Sequence, residues 1–598
     1  MNPPYSSGQS SANDNNQNQK YPALDKSIEG SYAKLSTATL KNSLYDSYIR
    51  GIRWASNRIK DDGVIAFVSN GSFIDGNTAD GIRKTFAAEF SRIFVYNLRG
   101  NQRTSGEVSR KEGGKIFGSG SRTQVAICIL IKNSARSGPA EIQYRDIGDY
   151  LTREQKLDIL AAEGSLESTE WERITSNEHG DWVNQRDDGY DAFQAIGDKA
   201  TKGTSGTVAM FENYSGGLKS NRDVWVYGFS AAAVEAQVQL LISTYETERL
   251  AGSGKPTMDP ARISWSPGLL QRYRAGKELR FVPGSVVVGP YRPFCKQNLY
   301  FDASLIERPG QLSKLFPTPA HPNRAITLPG PGSAGEFYSL IHDQIPALGV
   351  ATSLQCFSLY TYAPLPEGEF PILNDGETIV DGYRRRDNVT DATLDAYRKL
   401  YSDPAIGKEH IFDYVYGLLH SPSYKKTYRA DLMKMLPRIP KVQDFWGFSS
   451  SGHALAELHL NYEKATPHPL VETSKRTVPN DRDSQFDYYG VNKMSFVGRK
   501  DRSGIVYNSH ITVTGIPEEV FQYVLMGNKS AIEWILDRYQ VTKHKDSQIT
   551  NNPNDYSREA DNPRYIIDLL ARIVTVSLET VRIVAALPPL VILDENPS

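Results

Sequence analysis

Apolar residues recur at helical spacing near the start of the chain, at Leu44, Tyr48, Ile52, Ala55 and Ile59. The polar sequence Asp61-Asp62-Gly63 interrupts this pattern and ends the predicted helix. A short β-branched run, Val64–Val68, comes next, as expected for a strand that is buried on both faces. The polar stretch from Ser6 to Lys20, before the helix, cannot form a core and is predicted to be a mobile loop.

The alternation of helix and strand continues to residue 131. We predict a helix at Ile82–Phe90, a strand at Ile93–Tyr96, a Gly/Arg-rich loop at Arg99–Arg122 and a strand at Val125–Ile131. This order is typical of half of a doubly wound α/β sheet. The sequence therefore predicts an α/β fold with a partial doubly wound, Rossmann-like sheet over residues 1–140.

After residue 140, aromatic residues, Pro and Gly become frequent and the α/β alternation stops. We predict a connector at 141–225, an α+β region at 226–480 and a C-terminal part, largely a helical tail, at 481–598. The predicted helices are Ser230–Leu250, Ile411–Leu419, a basic helix ending at Leu436, Glu518–Tyr539 and Tyr565–Ala586.

Composition narrows the class of protein. The 598 residues are 39% hydrophobic and 23% charged, with a formal net charge of -1. These values are ordinary for a folded protein, and DNA binding would need a local basic surface. The three distant cysteines indicate reduced thiols in a cytoplasmic protein. We expect no signal peptide and no membrane span, because charged residues interrupt the apolar tract Ile566–Leu593.

The tetrapeptide Asn2-Pro3-Pro4-Tyr5 suits methylation of a nucleobase amine. The lone pair of such an amine is delocalised into the ring, and two carbonyl acceptors beside the amine hydrogens favour a pyramidal nitrogen. The Asn2 side chain and the Pro3 backbone can supply these acceptors as preorganised electrostatics. Pro4 stiffens the loop, and Tyr5 offers a face on which a flipped base can stack. The alternative is a chance proline turn.

The segment from Asn2 to Lys132 resembles the amino-methyltransferase superfamily. Gly63–Phe73 is similar to its strand ending in an Asn/Ser-x-Ser-Phe turn, and Lys115–Gly118 is similar to a later motif whose aromatic packs on the flipped base. The resemblance implies adenine-N6 methylation with S-adenosylmethionine as methyl donor, and implies that Phe117 is a second base-stacking residue. The alternative for Phe117 is a core position at a strand start.

Longer strings resemble the type ISP restriction–modification enzymes: Asn97–Thr104, Glu112–Lys115, Tyr291–Phe294, Leu418–Tyr424, Leu436–Pro440 and Lys529–Ile535. The resemblance implies a nuclease, an ATP-driven helicase-type translocase, a methyltransferase and a target-recognition domain on one polypeptide. It assigns 226–480 to target recognition.

The glycine-rich cofactor loop of such a methyltransferase would lie upstream of Asn2. We therefore expect that the chain is a fragment or a split or misannotated gene product, or that an upstream polypeptide carrying the cofactor motif, helicase and nuclease completes the enzyme. Gly76 and Gly81 have P-loop spacing but lack the following Lys and Ser/Thr. The spacing of His453 and His459 does not suit zinc, and no metal is expected. The alternative function is a non-catalytic, sequence-specific DNA-binding module.

Three basic segments are candidates for contact with double-stranded DNA. In Gly216–Asp223, Lys219 and Arg222 could contact phosphates and Asn221 could pair with adenine; the alternative is a solvated turn. In Tyr291–Gln297, cations alternate with aromatics, and the alternative is a structural strand start. The candidate residues of the second and third segments are Arg292, Lys296, Lys425, Lys426, Arg429, Lys434 and Arg438. The last five form a predicted basic helical face, whose alternative is solvated surface.

Overall fold

A computed structural model of the chain describes residues 1–3, 20–38, 41–104, 106–118, 122–204, 206–252, 254–307, 309–318, 321–333, 335–366, 373 and 376–593. Contacts divide the chain into two compact units. The first is Met1–Tyr190 with Ala430–Met435, and the second is Asp191–Arg429 with Leu436–Ser598. Pro4, Tyr5 and the predicted mobile loop that precedes Lys20 lie outside the described residues.

The first unit combines helices with one five-stranded sheet. Its helices are α1 (Pro22–Ile28), α2 (Ser47–Ser56), α3 (Asp80–Glu89), α4 (Gly106–Glu112) and α5 (Arg153–Glu163). Its strands are β1 (Gly63–Asn70), β2 (Arg92–Asn97), β3 (Val125–Lys132), β4 (Glu141–Asp146) and β5 (Glu172–Ile174). The sheet continues past the boundary predicted at residue 140, because β4 pairs with β2.

The strand order is β1-β3-β2-β4-β5, and the pairing is mixed. β3 is antiparallel to both β1 and β2, β4 is parallel to β2, and β5 is antiparallel to β4. The crossover through α3 leaves a one-strand gap between the parallel strands β1 and β2. The chain returns through the loop after β2 and fills the gap with β3 in the opposite direction. The prediction of an α/β fold is confirmed, whereas the doubly wound, Rossmann-like detail is not, because the sheet is mixed.

The two faces of this sheet are covered unequally. Ile65, Phe67 and Cys128 lie in a continuous core with α2 and α3. On the opposite face, Val64 is 62% exposed. α5 covers that face over β2 and β4, where Tyr96 and Ile147 pack with Leu160. The apolar surface near β1 is therefore open in the described part of the chain.

A buried cluster of charged side chains surrounds Asp181 in the first unit. The carboxylate lies 2.9 Å from Arg186, 3.2 Å from Lys434 and 3.5 Å from Arg83. Arg83 also donates to the carbonyls of Phe73, Gly76 and Gly180. Burial opposes ionisation of Asp181, but hydrogen bonds and charges from Arg186 and Lys434 hold its pKa below the usual range. The cluster joins the turn after β1, helix α3 and the distant segment Ala430–Met435.

The second unit has a helical centre. Its helices are Asp223–Val226, Ala231–Ala251, Pro267–Arg274, Leu312–Leu315, Asp391–Tyr401, Lys408–His420, Pro422–Thr427, Phe445–Leu460, Arg482–Tyr488, Ala531–Arg538, Pro553–Glu559 and Tyr565–Ala585. Lys408–His420 and Phe445–Leu460 approach each other at the backbone. An added Cβ at Gly452 would lie 1.8 Å from the Asp413 carbonyl oxygen, so this close packing requires glycine.

Small antiparallel sheets surround these helices. In spatial order, the three-stranded sheets are Tyr227–Gly228, Cys295–Tyr300 and Val286–Arg292, and Tyr360–Pro364, Tyr383–Asp387 and Thr378–Val380. The four-stranded sheets are Leu340–His342, Ala325–Leu328, Gln355–Ser358 and Ser215–Gly216, and Val471–Ser474, Ile511–Thr514, Gly504–Val506 and Ser495–Phe496. The two-stranded sheets pair Arg438–Ile439 with Gln194–Ala195, Val524–Leu525 with Lys529–Ser530, and Thr542–Lys543 with Thr550–Asn551. The predicted largely helical tail is therefore wrong, because residues 481–593 contain both helices and strands.

The prediction of one continuous basic helix ending at Leu436 is wrong. The chain makes two short helices, Pro422–Thr427 and Arg429–Lys434, and then enters the strand Arg438–Ile439. Tyr428, at φ -101° and ψ 28°, leaves the helical conformation and separates them. The predicted helices Ser230–Leu250, Ile411–Leu419 and Tyr565–Ala586 agree closely with Ala231–Ala251, Lys408–His420 and Tyr565–Ala585. The predicted helix Glu518–Tyr539 is wrong, because the paired strands Val524–Leu525 and Lys529–Ser530 interrupt it and the α-helix is limited to Ala531–Arg538. None of the helices in the described residues is both long and apolar enough to span a bilayer.

His420 and His459 are buried in the core of the second unit, and His342 is half-buried. His459 bonds the Tyr416 hydroxyl at 2.6 Å and the Thr580 hydroxyl at 2.9 Å. His420 bonds the Tyr416 carbonyl at 2.8 Å. Burial lowers the pKa of His420 to about 3 and that of His342 to about 3, and it also lowers the pKa of His459. All three rings are therefore neutral in the folded protein near neutral pH.

We predict that Asp181→Asn destabilises the first unit strongly. The substitution keeps the side-chain shape but removes the carboxylate that pairs with the buried Arg83 and Arg186, and it leaves Lys434 with Asp75, at 2.9 Å, as its remaining carboxylate partner. Breaking a buried ion pair costs about 3–5 kcal/mol. The measurement is the free energy of unfolding in urea. The control is Glu141→Gln, which removes a carboxylate paired at the surface with Arg92 and Arg136. Equal stability of the two variants would contradict a central role for Asp181.

We also predict that the second unit loses stability as the pH falls below about 6.5, the ordinary pKa of histidine. The unfolded chain binds protons there, whereas the buried His420 ring resists protonation until about pH 3. Unfolding free energy measured between pH 7 and about pH 4 should therefore decrease. His420→Gln should reduce this pH dependence, and His544→Gln, at an exposed position, should not. Identical pH profiles for both variants and the wild type would rule out this source.

Candidate functional site

The residues Met1–Pro3 run beside the outer edge of β1. The Met1 amino group donates to the Ala66 carbonyl at 2.6 Å, and the Val68 amide donates to the Met1 carbonyl at 3.0 Å. This is the pattern of parallel neighbours. The chain then leads toward the end of β1, where Asn2 is exposed and Pro3 is buried. Pro3 packs on α2, where an added Cβ at Gly51 would lie 3.2 Å from the Pro3 Cβ.

The turn after β1 lies at the same edge of the sheet. The Asn70 side-chain oxygen accepts from the Ser72 amide at 2.9 Å and from its hydroxyl at 2.7 Å. The Gln124 side chain and backbone bond both polar groups of Gly71, at 2.9 Å each. These bonds fix the end of β1 against the start of β3. Carboxyl ends of strands are where open α/β sheets form ligand crevices.

Phe117 belongs to the loop that leads into β3, and it therefore comes to this edge. It is half-buried and packs against a cluster that contains Ile116 and Val125. Both interpretations from the sequence remain compatible with this position, because part of the ring is in the core and part is accessible.

A residue that sequence reasoning missed holds this loop. The buried ammonium of Lys156, on α5, donates to the carbonyls of Glu112 at 2.7 Å and Gly114 at 2.9 Å. Burial lowers the pKa of Lys156 to about 8. The available signal is the Thr152–Gln155 capping box, which predicts the helix start but not the direction in which Lys156 points.

In the second unit, Arg222 does not lie on a DNA-accessible surface. Its guanidinium is buried, donates to the Leu305 carbonyl at 2.8 Å and to the Ser266 hydroxyl, and lies 3.4 Å from Glu307. Its predicted phosphate contact is therefore wrong, because three internal partners already use the cation. Arg222 instead fixes the loop that carries its neighbours.

Lys219 and Asn221 lie on the outer part of that loop. The Lys219 carbonyl accepts from the Glu307 amide at 2.7 Å, and its side chain is half-buried. Asn221 is exposed and has φ 55°, a left-handed conformation that Asn tolerates better than most residues. The network of Arg222, Ser266 and Glu307 thus presents the Asn221 side chain from a fixed backbone.

The cations of the segment Tyr291–Gln297 contact groups within the second unit. Arg292 lies over the Tyr291 ring at 4.0 Å. Lys296 forms an ion pair with Glu463 at 2.7 Å and lies 5.2 Å from the centre of the Tyr462 ring. These contacts favour the structural interpretation of this strand pair, particularly for Lys296.

The five cations of the third segment do not form one face. Lys434 is buried beside Asp181, Arg429 pairs with Glu336 at 2.8 Å, and Arg438 pairs with Asp191 at 3.1 Å. Lys425 is half-buried, and burial lowers its pKa. Lys426 is exposed. The predicted common phosphate surface is therefore wrong, and Lys426 is the member that remains most accessible.

Sequence reasoning also missed a basic turn, Gly498–Gly504, whose tip exposes Arg499 and Lys500. The signal was present as a short run of basic residues bounded by glycines.

The comparisons with known proteins agree on one family. The model of the Type ISP C-terminal specificity domain matches residues 209–569. No curated protein matches the chain significantly.

Three solved structures are similar over nearly the whole chain. A nuclease-deletion mutant of the Type ISP restriction–modification enzyme LlaGI, in complex with a DNA substrate mimic, has a TM-score of 0.84 and 38% identity over 99% of this chain and 44% of its own. The ATP-dependent Type ISP enzyme LlaBIII, bound to DNA, has a TM-score of 0.85 and 36% identity over 99% of this chain and 37% of its own. The DrdV–DNA complex has a TM-score of 0.83 and 32% identity over 98% of this chain and 56% of its own.

The chain thus spans less than two thirds of the length of each of these proteins. The specificity-domain model covers more than half of the chain, and the aligned structures cover nearly all of it. The chain therefore belongs to the Type ISP restriction–modification family and contains its C-terminal specificity domain.

Proposed function

We propose that the chain recognises the DNA target of a restriction–modification enzyme through its second unit. The observation that carries this proposal is the match of residues 209–569 to a specificity domain, together with relatives solved on DNA. The exposed Asn221, held by Arg222, is our candidate for pairing with a base edge. The half-buried Lys219 on the same loop is our candidate for contact with phosphate.

We further propose that the first unit contributes the catalytic edge of an adenine-N6 methyltransferase. Asn2 is exposed at the sheet edge, and the buried Pro3 fixes the backbone beside it on α2. In this proposal the Asn2 side chain and the Pro3 carbonyl accept the two amine hydrogens of a flipped adenine. Preorganised acceptors stabilise the charge that develops on the nitrogen during methyl transfer. Tyr5 and Phe117 would contact the base.

S-adenosylmethionine would supply the methyl group, but the described residues do not offer it a glycine-rich loop. An added Cβ at Gly76 would lie 2.5 Å from the Ser72 carbonyl oxygen, and one at Gly81 would lie 1.9 Å from the Tyr32 carbonyl oxygen. These glycines serve close packing rather than ligand approach. We therefore assign none of the described residues to the cofactor, and propose that another part of the complete enzyme holds it.

A non-catalytic specificity module is the second candidate function, and the restriction of the family match to residues 209–569 favours it. Methyl-transfer assays of the complete enzyme distinguish the two functions.

In the complete enzyme, Asn2→Ala should reduce methyl transfer by roughly 10²–10³-fold, as expected for loss of one preorganised hydrogen-bond partner. The DNA dissociation constant should remain nearly unchanged, because Asn2 would act on the amine and not on the duplex. The measurements are incorporation of labelled methyl groups and equilibrium DNA binding. Near-normal methylation by Asn2→Ala would remove this residue from the mechanism and favour the non-catalytic alternative.

The loop variants Lys219→Ala and Asn221→Ala should behave differently on DNA. Lys219→Ala should weaken binding to selected and random duplexes alike, and should reduce the salt dependence by about one unit. Asn221→Ala should cost about 1–3 kcal/mol on a duplex selected from a random library, and little on random DNA.

Arg222→Ala is the matched control from the same loop. It should lower the free energy of unfolding, because it removes a buried cation from Glu307 and Ser266. Salt titrations of DNA binding by all three variants provide the measurement. If Lys219→Ala and Asn221→Ala both bind DNA as the wild type does, this loop is a solvated turn.

A further inference from the structure

The turn Gly498–Gly504 is a rigid hairpin tip. The strands Ser495–Phe496 and Gly504–Val506 pair in register, and the Val497 amide donates to the Gly504 carbonyl at 3.0 Å. Across the tip, the Gly498 amide donates to the Asp501 carbonyl at 3.2 Å. The Asp501 carboxylate accepts from the Ser503 amide at 3.0 Å and from its hydroxyl at 2.7 Å. The tip is therefore ordered by its own hydrogen bonds.

The base of the hairpin is fixed to the body of the second unit. The Arg502 guanidinium lies 4.0 Å from the centre of the Phe521 ring, which packs on Phe496 at 5.8 Å. Arg502 also lies 3.8 Å from Glu533, a carboxylate that caps the helix Ala531–Arg538. This cation is used to hold the hairpin in place.

The remaining two cations of the tip lie at the surface of the unit. Arg499 and Lys500 are exposed, and within the described part of the chain neither forms an ion pair with a carboxylate. The nearest acidic residue in sequence, Asp501, is turned toward Ser503. A fixed turn thus presents two adjacent positive charges to solvent.

We propose that Arg499 and Lys500 form a phosphate-binding contact for double-stranded DNA. This inference rests on the proposed DNA recognition by the second unit and adds a surface to it. A guanidinium matches phosphate geometry with paired donors, and an ammonium adds a point charge. A backbone that is already ordered loses less conformational freedom on binding than a flexible basic loop would.

The first test replaces both cations. In the protein as a whole, Arg499→Ala with Lys500→Ala should weaken binding to random duplex DNA and reduce its salt dependence by about two units, since each phosphate contact releases about one counterion. The control is Arg582→Ala, which removes an exposed cation paired with Glu579 at the end of the last long helix. Thermal unfolding of each variant establishes that folding is retained.

The second test separates an ordered turn from simple net charge. Asp501→Ala removes a negative charge beside the two cations. If only net charge mattered, DNA affinity would increase. We expect affinity to decrease, because the turn loses its bonds to Ser503 and no longer orients Arg499 and Lys500. The matched control is Glu519→Ala, at another exposed acidic position of the same unit, which should bind DNA as well as the wild type or slightly better.

The outcomes distinguish this inference from the function on which it rests. If the wild type binds DNA but the double variant keeps its affinity and salt dependence, the hairpin is not a DNA contact and the proposed function stands. If Asp501→Ala strengthens binding, the ordered turn is not required. If the wild type does not bind DNA, both proposals fail.

Discussion

Asp181 has no exposed side-chain surface, yet it stays ionised because three cations surround it. Its position constrains much of the first unit. Arg83 carries the cluster to the turn after β1, and Lys434 carries it to a segment far along the chain. A carboxylate in such surroundings is expensive to bury and still more expensive to leave unpaired. The turn that follows β1, beside the candidate catalytic edge, therefore depends on a contact that forms only when the distant segment is in place.

Pairing of cations with carboxylates inside the protein also explains why basic sequence motifs do not locate a DNA-binding surface reliably. Arg222, Lys296 and Lys434 each meet an internal carboxylate. Accessibility and the absence of a competing carboxylate are better criteria than local sequence, and Lys426, Arg499 and Lys500 are among the described cations that meet both.

Local pattern predicted the positions of the first three strands and of several long helices. Val64–Val68 lies within β1, and Tyr565–Ala586 agrees with the observed Tyr565–Ala585, because hydrophobic periodicity is a property of neighbouring residues. The direction of β3 was not predictable, since it depends on the gap left between β1 and β2. The burial of Arg222 was not predictable either, because its partner Glu307 is remote in sequence. The chemical hypothesis for Asn2 and Pro3 rests on four residues, and the structure adds their location at the sheet edge.

The segment Ala430–Met435 belongs to the first unit although the sequence on both sides belongs to the second. The boundary between the units is thus crossed more than once, and a single cut cannot separate them. A hybrid protein in which all residues after 190 came from a relative would also have that relative's residues at 430–435, beside Asp181. Chimeras designed to transfer target preference between relatives should retain the host's own 430–435, or transfer the partners of Lys434 with it. An exchange of the second unit between relatives therefore has to replace two separate segments of the chain rather than one continuous segment.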